Sequence, residues 1–169
     1  MKLIWAAIGV LVLTFLAMLG TGYLLPVRRV AVRSKHFDAS AEQVWTIVDG
    51  PPDWMPNVRK YHALTSAGAY RRWEVTSPAG RSLVLAITEE KAPARLAARL
   101  DGKNLPYARS WIYQIAGNAD GCTVTITETR EIDSPLLRFI SRFILGSGAA
   151  ADEQMNAIER KLNEKRGLG

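Results

Sequence analysis

The sequence predicts an α+β protein in which a curved antiparallel sheet of seven strands wraps around a long C-terminal helix, preceded by one apolar N-terminal helix. Three observations predict it. Residues 3–25 carry no charge, residues 30–132 break into strand-like segments joined by short turns, and residues 134–165 return to helical periodicity.

The apolar run LIWAAIGVLVLTFLAMLGTGYLL occupies residues 3–25. As a helix at about 1.5 Å per residue it reaches roughly 35 Å, enough to cross the hydrocarbon core of a bilayer. Trp5 and Tyr23 lie near its ends, where amphipathic rings favour the headgroup layer, and Pro26 stops the helix. A buried core helix of this length would carry a polar face, and this one carries none. The alternative is a cleaved signal peptide. Against it stand the length of the run and the weakness of Gly20-Thr21-Gly22 as a cleavage site. Residues 1–26 are therefore expected to form a single-pass membrane anchor, and residues 27–169 one soluble domain. Arg28, Arg29, Arg33 and Lys35 outnumber Lys2 across the run, which favours the cytoplasmic face for the domain, although Lys2 before a long apolar run is also how an exported anchor begins.

The remainder is the size of one ordinary domain and too small for two. Its single cysteine, Cys122, excludes an internal disulfide and a thiol-paired zinc site. The net charge of +6 and pI near 9.7 suit an anionic membrane surface or a nucleic acid. Much of that excess sits beside the apolar run and in the terminal helix, with no nucleic-acid-binding motif, so a nucleic-acid partner is not expected.

Residues 30–37 read as a first strand. Ser40 with Gln43 three residues on forms a capping box that opens a short helix through Trp45 and Val48, and Asp49-Gly50-Pro51-Pro52 ends it. Residues 53–57 (DWMPN) read as one more helical turn. Six strand segments follow at 58–64, 70–76, 82–89, 95–100, 107–115 and 123–132, with Asn118-Ala119-Asp120-Gly121 turning the last pair. Short connections make consecutive strands antiparallel neighbours. Val124 and Ile126 alternate with Thr123, Thr125, Thr127 and Thr129, so one face is covered and the other wet.

Ser134-Pro135 is an N-cap followed by proline at the first helical position, and Leu136, Ile140, Phe143, Met155, Ile158 and Leu162 recur at helical spacing. Gly146 and Gly148 interrupt the bulk in the middle of that segment. A curved sheet around one helix cannot be filled everywhere by side chains, so an elongated apolar cavity between the two is expected.

The stretches HFDASAEQVWTIVDGPPDWMPNV, SWIYQI, TVTITETREI and SPLLRFISRFILG, in this order, resemble the START-like (SRPBCC) superfamily, which has the helix-grip fold of the Bet v 1 type. Within it they resemble the polyketide cyclase/dehydrase and lipid-transport group. The resemblance spans about residues 30–162 and implies a hydrophobic ligand. It does not fix the function, because the superfamily ranges from carriers to cyclases.

Arg109, Trp111 and Tyr113 share one strand parity, and Glu128 and Arg130 share that of Val124 and Ile126. Together they place a carboxylate beside guanidinium groups on an apolar wall, able to orient a ligand carbonyl or to serve as acid or base. The plainer expectation is a set of ion pairs at strand ends, mutually neutralised and half solvated. Trp54, with Met55 and Pro56, is expected as a cavity rim, as the corresponding family motif often is, or as a core plug; Trp73 as pocket wall or core; and Trp45 as core. Arg138 and Arg142, one turn apart in residues 136–145, make that stretch a candidate for contact with a bilayer, or simply a cover for the sheet. No Ser-His-Asp spacing, GxSxG, P-loop or dinucleotide loop occurs, and His36 and His62 lack a ligand set, so neither a cofactor nor a metal is expected. The expected function is a membrane-anchored binding module for a hydrophobic or lipid-like small molecule. The alternative is an enzyme resembling polyketide cyclases or dehydrases that works in the same cavity.

Overall fold

The computed structural model describes residues 2–65, 68, 70–102, 107–144 and 149–167. Helix α1 (Lys2–Leu24) stands apart from the domain core and is solvent-facing along almost its whole length. The domain runs β1 (Arg28–Phe37), α2 (Ala41–Val48), a 3₁₀ turn (Pro52–Trp54), β2 (Lys60–Leu64), β3 (Arg72–Thr76), β4 (Ser82–Lys91), β5 (Arg95–Asp101), β6 (Ala108–Asn118), β7 (Gly121–Glu131), α3 (Pro135–Phe143) and α4 (Ala149–Gly167).

All seven strands form one antiparallel sheet in the order β1-β7-β6-β5-β4-β3-β2. Six of them follow one another as a meander because their connections are short. β1 closes on β7 because α2 and the 3₁₀ turn carry the chain across the inner face to the far edge. The register shifts between Ile87 and Glu89 on β4, an irregularity that bends the strand as a bulge does. At the β6–β7 turn, Gly121 has φ +140°, and a side chain there would collide with the Phe37 carbonyl.

Helix α2 begins where its capping box predicts: Gln43 N donates to Ser40 Oγ at 3.3 Å, and Ser40 N donates to Gln43 Oε1 at 2.9 Å. Its apolar side, Val44, Trp45, Ile47 and Val48, joins the core, so Trp45 is the core residue its spacing implied. Helix α4 supplies Ala151, Met155, Ile158 and Leu162 to the same core, opposite Leu96, Ala98, Tyr113, Val124 and Ile126 of the sheet. Lys35–Glu159 (2.9 Å), Arg33–Asp152 (3.1 Å) and Lys161–Asp53 (3.1 Å) fasten its outer side, each exposed enough to contribute little stability.

The C-terminal segment differs from the single helix expected over 134–165: α3 ends at Phe143 and α4 begins at Ala149. Gly146, Ser147 and Gly148 lie outside the described residues. The two helices also have different partners. α4 packs on α2, β1, β7 and the 3₁₀ turn, whereas α3 packs on α1. Gly22 permits that contact, since a methyl group there would collide with the Pro135 carbonyl. Arg138 secures it by donating from Nη1 to the carbonyl of Leu25 at 2.6 Å.

Candidate ligand cavity

Between the inner face of the sheet and α4 lies a cavity of about 440 Å³, within the usual range of about 300–1,000 Å³ for small-molecule sites. Val75 on β3, Leu83 and Leu85 on β4, Leu100 on β5 and Trp111 on β6 form its apolar wall. Met55, Pro56 and Val58, on the loop after the 3₁₀ turn, close one side, and Ala150 and Gln154 of α4 close another. Strand alternation puts these side chains on one face, and the small Ala150 leaves room that a bulkier residue would fill.

Two deep polar groups meet this surface. Arg109 lies on β6, two residues before Trp111 and on the same face, and its guanidinium stacks 5.0 Å from the Trp111 ring. Behind it sits Glu128, only 2% exposed. The register explains the grouping. Arg109 stands directly opposite Arg130, and Trp111 directly opposite Glu128, so one carboxylate on the next same-face position serves two facing cations. The Nε atoms of Arg109 and Arg130 both donate to Glu128 Oε1 at 2.6 Å, while Oε2 is buried with no hydrogen-bond partner. The expectation of mutual neutralisation holds. That of half-solvation does not: Arg109 and Arg130 do lie near strand ends, second in β6 and last but one in β7, but the carboxylate is sealed beneath Trp111 and the two guanidinium stems.

The second group is Gln154. The Tyr113 hydroxyl donates to its Oε1 at 2.9 Å, which leaves the Gln154 amide NH₂ as the donor free for the cavity. Burial pushes the Tyr113 phenol far above its ordinary value; Glu128 adds to the effect, and Arg109 and the Gln154 bond only partly oppose it. Tyr113 is thus a neutral donor at physiological pH, without the character of a base. Trp54 packs edge-on to Tyr113 with ring centroids 6.0 Å apart and is buried in the core behind the cavity, whereas its neighbours Met55 and Pro56 reach the lining. Trp73 is likewise core, with the Arg71 guanidinium 5.8 Å from its ring.

The residues named from sequence therefore divide. Arg109 and Trp111 line the cavity, and Tyr113, Glu128 and Arg130 buttress it from one layer behind. Trp54 and Trp73 belong to the core. Sequence reasoning missed Gln154, although its signal was present as a lone amide inside the apolar α4 stripe Ala151, Met155, Ile158 and Leu162. The arrangement can hold an apolar body and present an arginine and an amide N–H to an acceptor group on it. Among the described residues no cluster of His, Cys, Asp and Glu could hold a metal. The Cys122 thiol is buried, and that burial pushes it up, away from the thiolate a nucleophile needs.

Comparisons with known proteins agree with this architecture. A norcoclaurine synthase from Thalictrum flavum, solved as a point mutant with a transition-state analogue, matches at TM-score 0.64 with 14% identity, over 85% of this chain and 99% of that one. The di-domain ARO/CYC StfQ of the steffimycin biosynthetic pathway matches at TM-score 0.61 with 10% identity, over 83% of this chain and 53% of that one. Protein MLL2253 from Mesorhizobium loti matches at TM-score 0.61 with 12% identity, over 80% and 98%. At such identities the likeness establishes the helix-grip fold and no more. Comparison with curated proteins gives no significant match. The family model described as polyketide cyclase/dehydrase and lipid transport matches residues 28–163, from the first residue of β1 to near the end of α4. A hydrophobic-ligand-binding fold is what that family and this cavity share, and the chain belongs to the polyketide cyclase/dehydrase and lipid transport family.

Proposed function

We propose that the protein is a membrane-anchored binding module for a hydrophobic or lipid-like small molecule held between the sheet and α4. The observation that carries this reading is the cavity itself: about 440 Å³, walled by Val75, Leu83, Leu85, Leu100 and Trp111, with Arg109 and Gln154 among the polar groups on its lining. Such a wall favours an apolar body, and two fixed donors favour one acceptor group on it. Helix α1 is long and apolar enough to cross a membrane, with a mean hydropathy of 2.5, and would hold this cavity close to a lipid phase. The test is mass spectrometry of small molecules extracted from the intact chain in mild detergent. An apolar ligand that co-purifies supports the reading. A chain that is empty and binds no apolar fluorescent probe refutes it.

A second reading, a cyclase- or dehydrase-like enzyme, is favoured by one detail. Glu128 Oε2 is a buried carboxylate oxygen without a partner, one layer behind the Arg109 that faces the cavity. The norcoclaurine synthase and ARO/CYC neighbours support enzymatic use of this fold. Glu128→Gln separates the two: a binding module retains its affinity for an apolar ligand, whereas an enzyme loses turnover and keeps affinity.

A further inference from the structure

A second cavity, of about 260 Å³, lies where α1 meets the domain, and it is lined by Leu25, Pro26, Arg29, Arg138 and Arg142. Three guanidinium groups thus share one small space. Among the described residues none of the three is ion-paired, and the carboxylates on the adjoining strand are engaged elsewhere, Glu131 by Arg28 and Glu128 by Arg109 and Arg130.

Arg138 is built in. It is 7% exposed, its Nη1 and Nη2 donate to the carbonyls of Leu25 (2.6 Å) and Asp133 (3.2 Å), and its Nε is buried with no partner. Tyr23, in the last turn of α1, lies 5.9 Å from its guanidinium. Arg29 stands directly opposite Arg130 in the β1–β7 register, a like-charge pair that is unfavourable unless an anion is near. Burial, Arg142 and Arg130 together lower the Arg29 pKa, the direction expected where positive charge is in excess. Burying guanidinium groups without a counter-charge is costly, and a bound anion offsets that cost.

The position identifies the anion. Leu25 and Pro26 follow directly on the apolar helix, so on a spanning α1 this cavity sits at the level of lipid headgroups. Beside it α3 leaves Phe143 and Ile144 60% and 66% exposed, with Arg142 on the adjoining polar side, the pattern of a helix lying in the interface. Planar guanidinium forks match phosphate oxygens better than single ammonium charges do. We propose that Arg29, Arg138 and Arg142 form a binding site for the phosphate of an anionic phospholipid, with α3 resting on the bilayer surface beside it. The site rests on α1 spanning a membrane, and it is independent of what fills the larger cavity.

The full chain in nanodiscs of phosphatidylcholine mixed with phosphatidylglycerol tests it, with native mass spectrometry counting the lipids that stay bound after release from the disc. Preferential retention of phosphatidylglycerol is expected, and Arg29→Gln and Arg142→Gln should each lower that preference about fivefold. Both are partly or fully exposed, so the fold is retained, which thermal unfolding in detergent verifies. Arg138 also ties α3 to Leu25 and is left intact. Equal retention of the two lipids, or variants that match the wild type, would overturn the site. Displacement of the retained lipid by inorganic phosphate alone would overturn the lipid assignment in favour of a free-phosphate site. A chain that fails to enter the discs overturns the anchor and the site together, and this is distinguishable from an inserted chain without lipid preference.

Discussion

The phenol of Tyr113 on β6 donates to the side-chain carbonyl of Gln154 on α4, a buried hydrogen bond joining the centre of the sheet to the helix that covers it. Removing it in Tyr113→Phe leaves the Gln154 carbonyl without its donor and is expected to cost about 1–2 kcal/mol. Chemical denaturation of the purified chain reads this directly.

The burial of Tyr113 sets an alkaline limit. The folded-state pKa of Tyr113 lies above that of the unfolded chain, so its contribution is fully present below the ordinary phenol value of 10.0 and is eroded as pH rises beyond it. Wild-type stability should therefore decline above that pH more steeply than that of Tyr113→Phe, by up to about 1.4 kcal/mol per pH unit. Parallel declines in the two proteins would contradict the assignment.

Glu128 neutralises two arginines that face each other across β6 and β7. Glu128→Leu removes the shared carboxylate and leaves both cations beside an apolar wall, which is expected to cost about 3–5 kcal/mol. The triple change Glu128→Leu, Arg109→Met, Arg130→Met should recover most of that loss in the same denaturation assay, because no uncompensated charge then remains.

Ala150 is the small residue that α4 presents to the cavity. Ala150→Phe places a ring in the space a ligand would take and should weaken binding of an apolar fluorescent probe at least about tenfold, equivalent to about 1.4 kcal/mol. Glu153→Ala, on the exposed side of α4 and outside the cavity lining, is the control and should alter probe affinity far less.

Gly22→Leu drives a side chain into the Pro135 backbone. Amide hydrogen exchange across α3 is expected to accelerate at least about tenfold, while the protection of β6 and β7 stays unchanged. Unaltered exchange in α3 would mean that its order does not depend on α1.

The sheet was legible because its evidence is local: period-two alternation in residues 123–131, turn residues at Asn118 and Gly121, and the Ser40–Gln43 capping box each report on a few neighbouring positions. The division of the terminal segment was not. Apolar periodicity shows that Leu136, Ile140 and Phe143 share a stripe, but it does not show that α3 packs on α1 through Pro135 and Arg138, with Phe143 left exposed, instead of covering the sheet. That depends on Gly22, more than a hundred residues away, fitting against Pro135. The site was legible to the extent that parity grouped Arg109, Trp111, Tyr113, Glu128 and Arg130. It was opaque where depth mattered. Parity cannot separate the lining residues Arg109 and Trp111 from the buried carboxylate behind them, nor Trp54 in the core from Met55 at the wall.

The β1–β7 pairing brings Val27 and Ile132 together through a backbone hydrogen bond of 2.9 Å, so the chain enters the sheet and leaves it at one corner. Helix α1 is consequently held twice, once by the covalent link through Pro26 and once by α3 closing on Gly22 from the other end of the sequence. The helix therefore behaves less as a leash than as a bracket fixed by two bolts. A protease cut between residues 25 and 28 should leave the domain docked on its helix until α3 lets go.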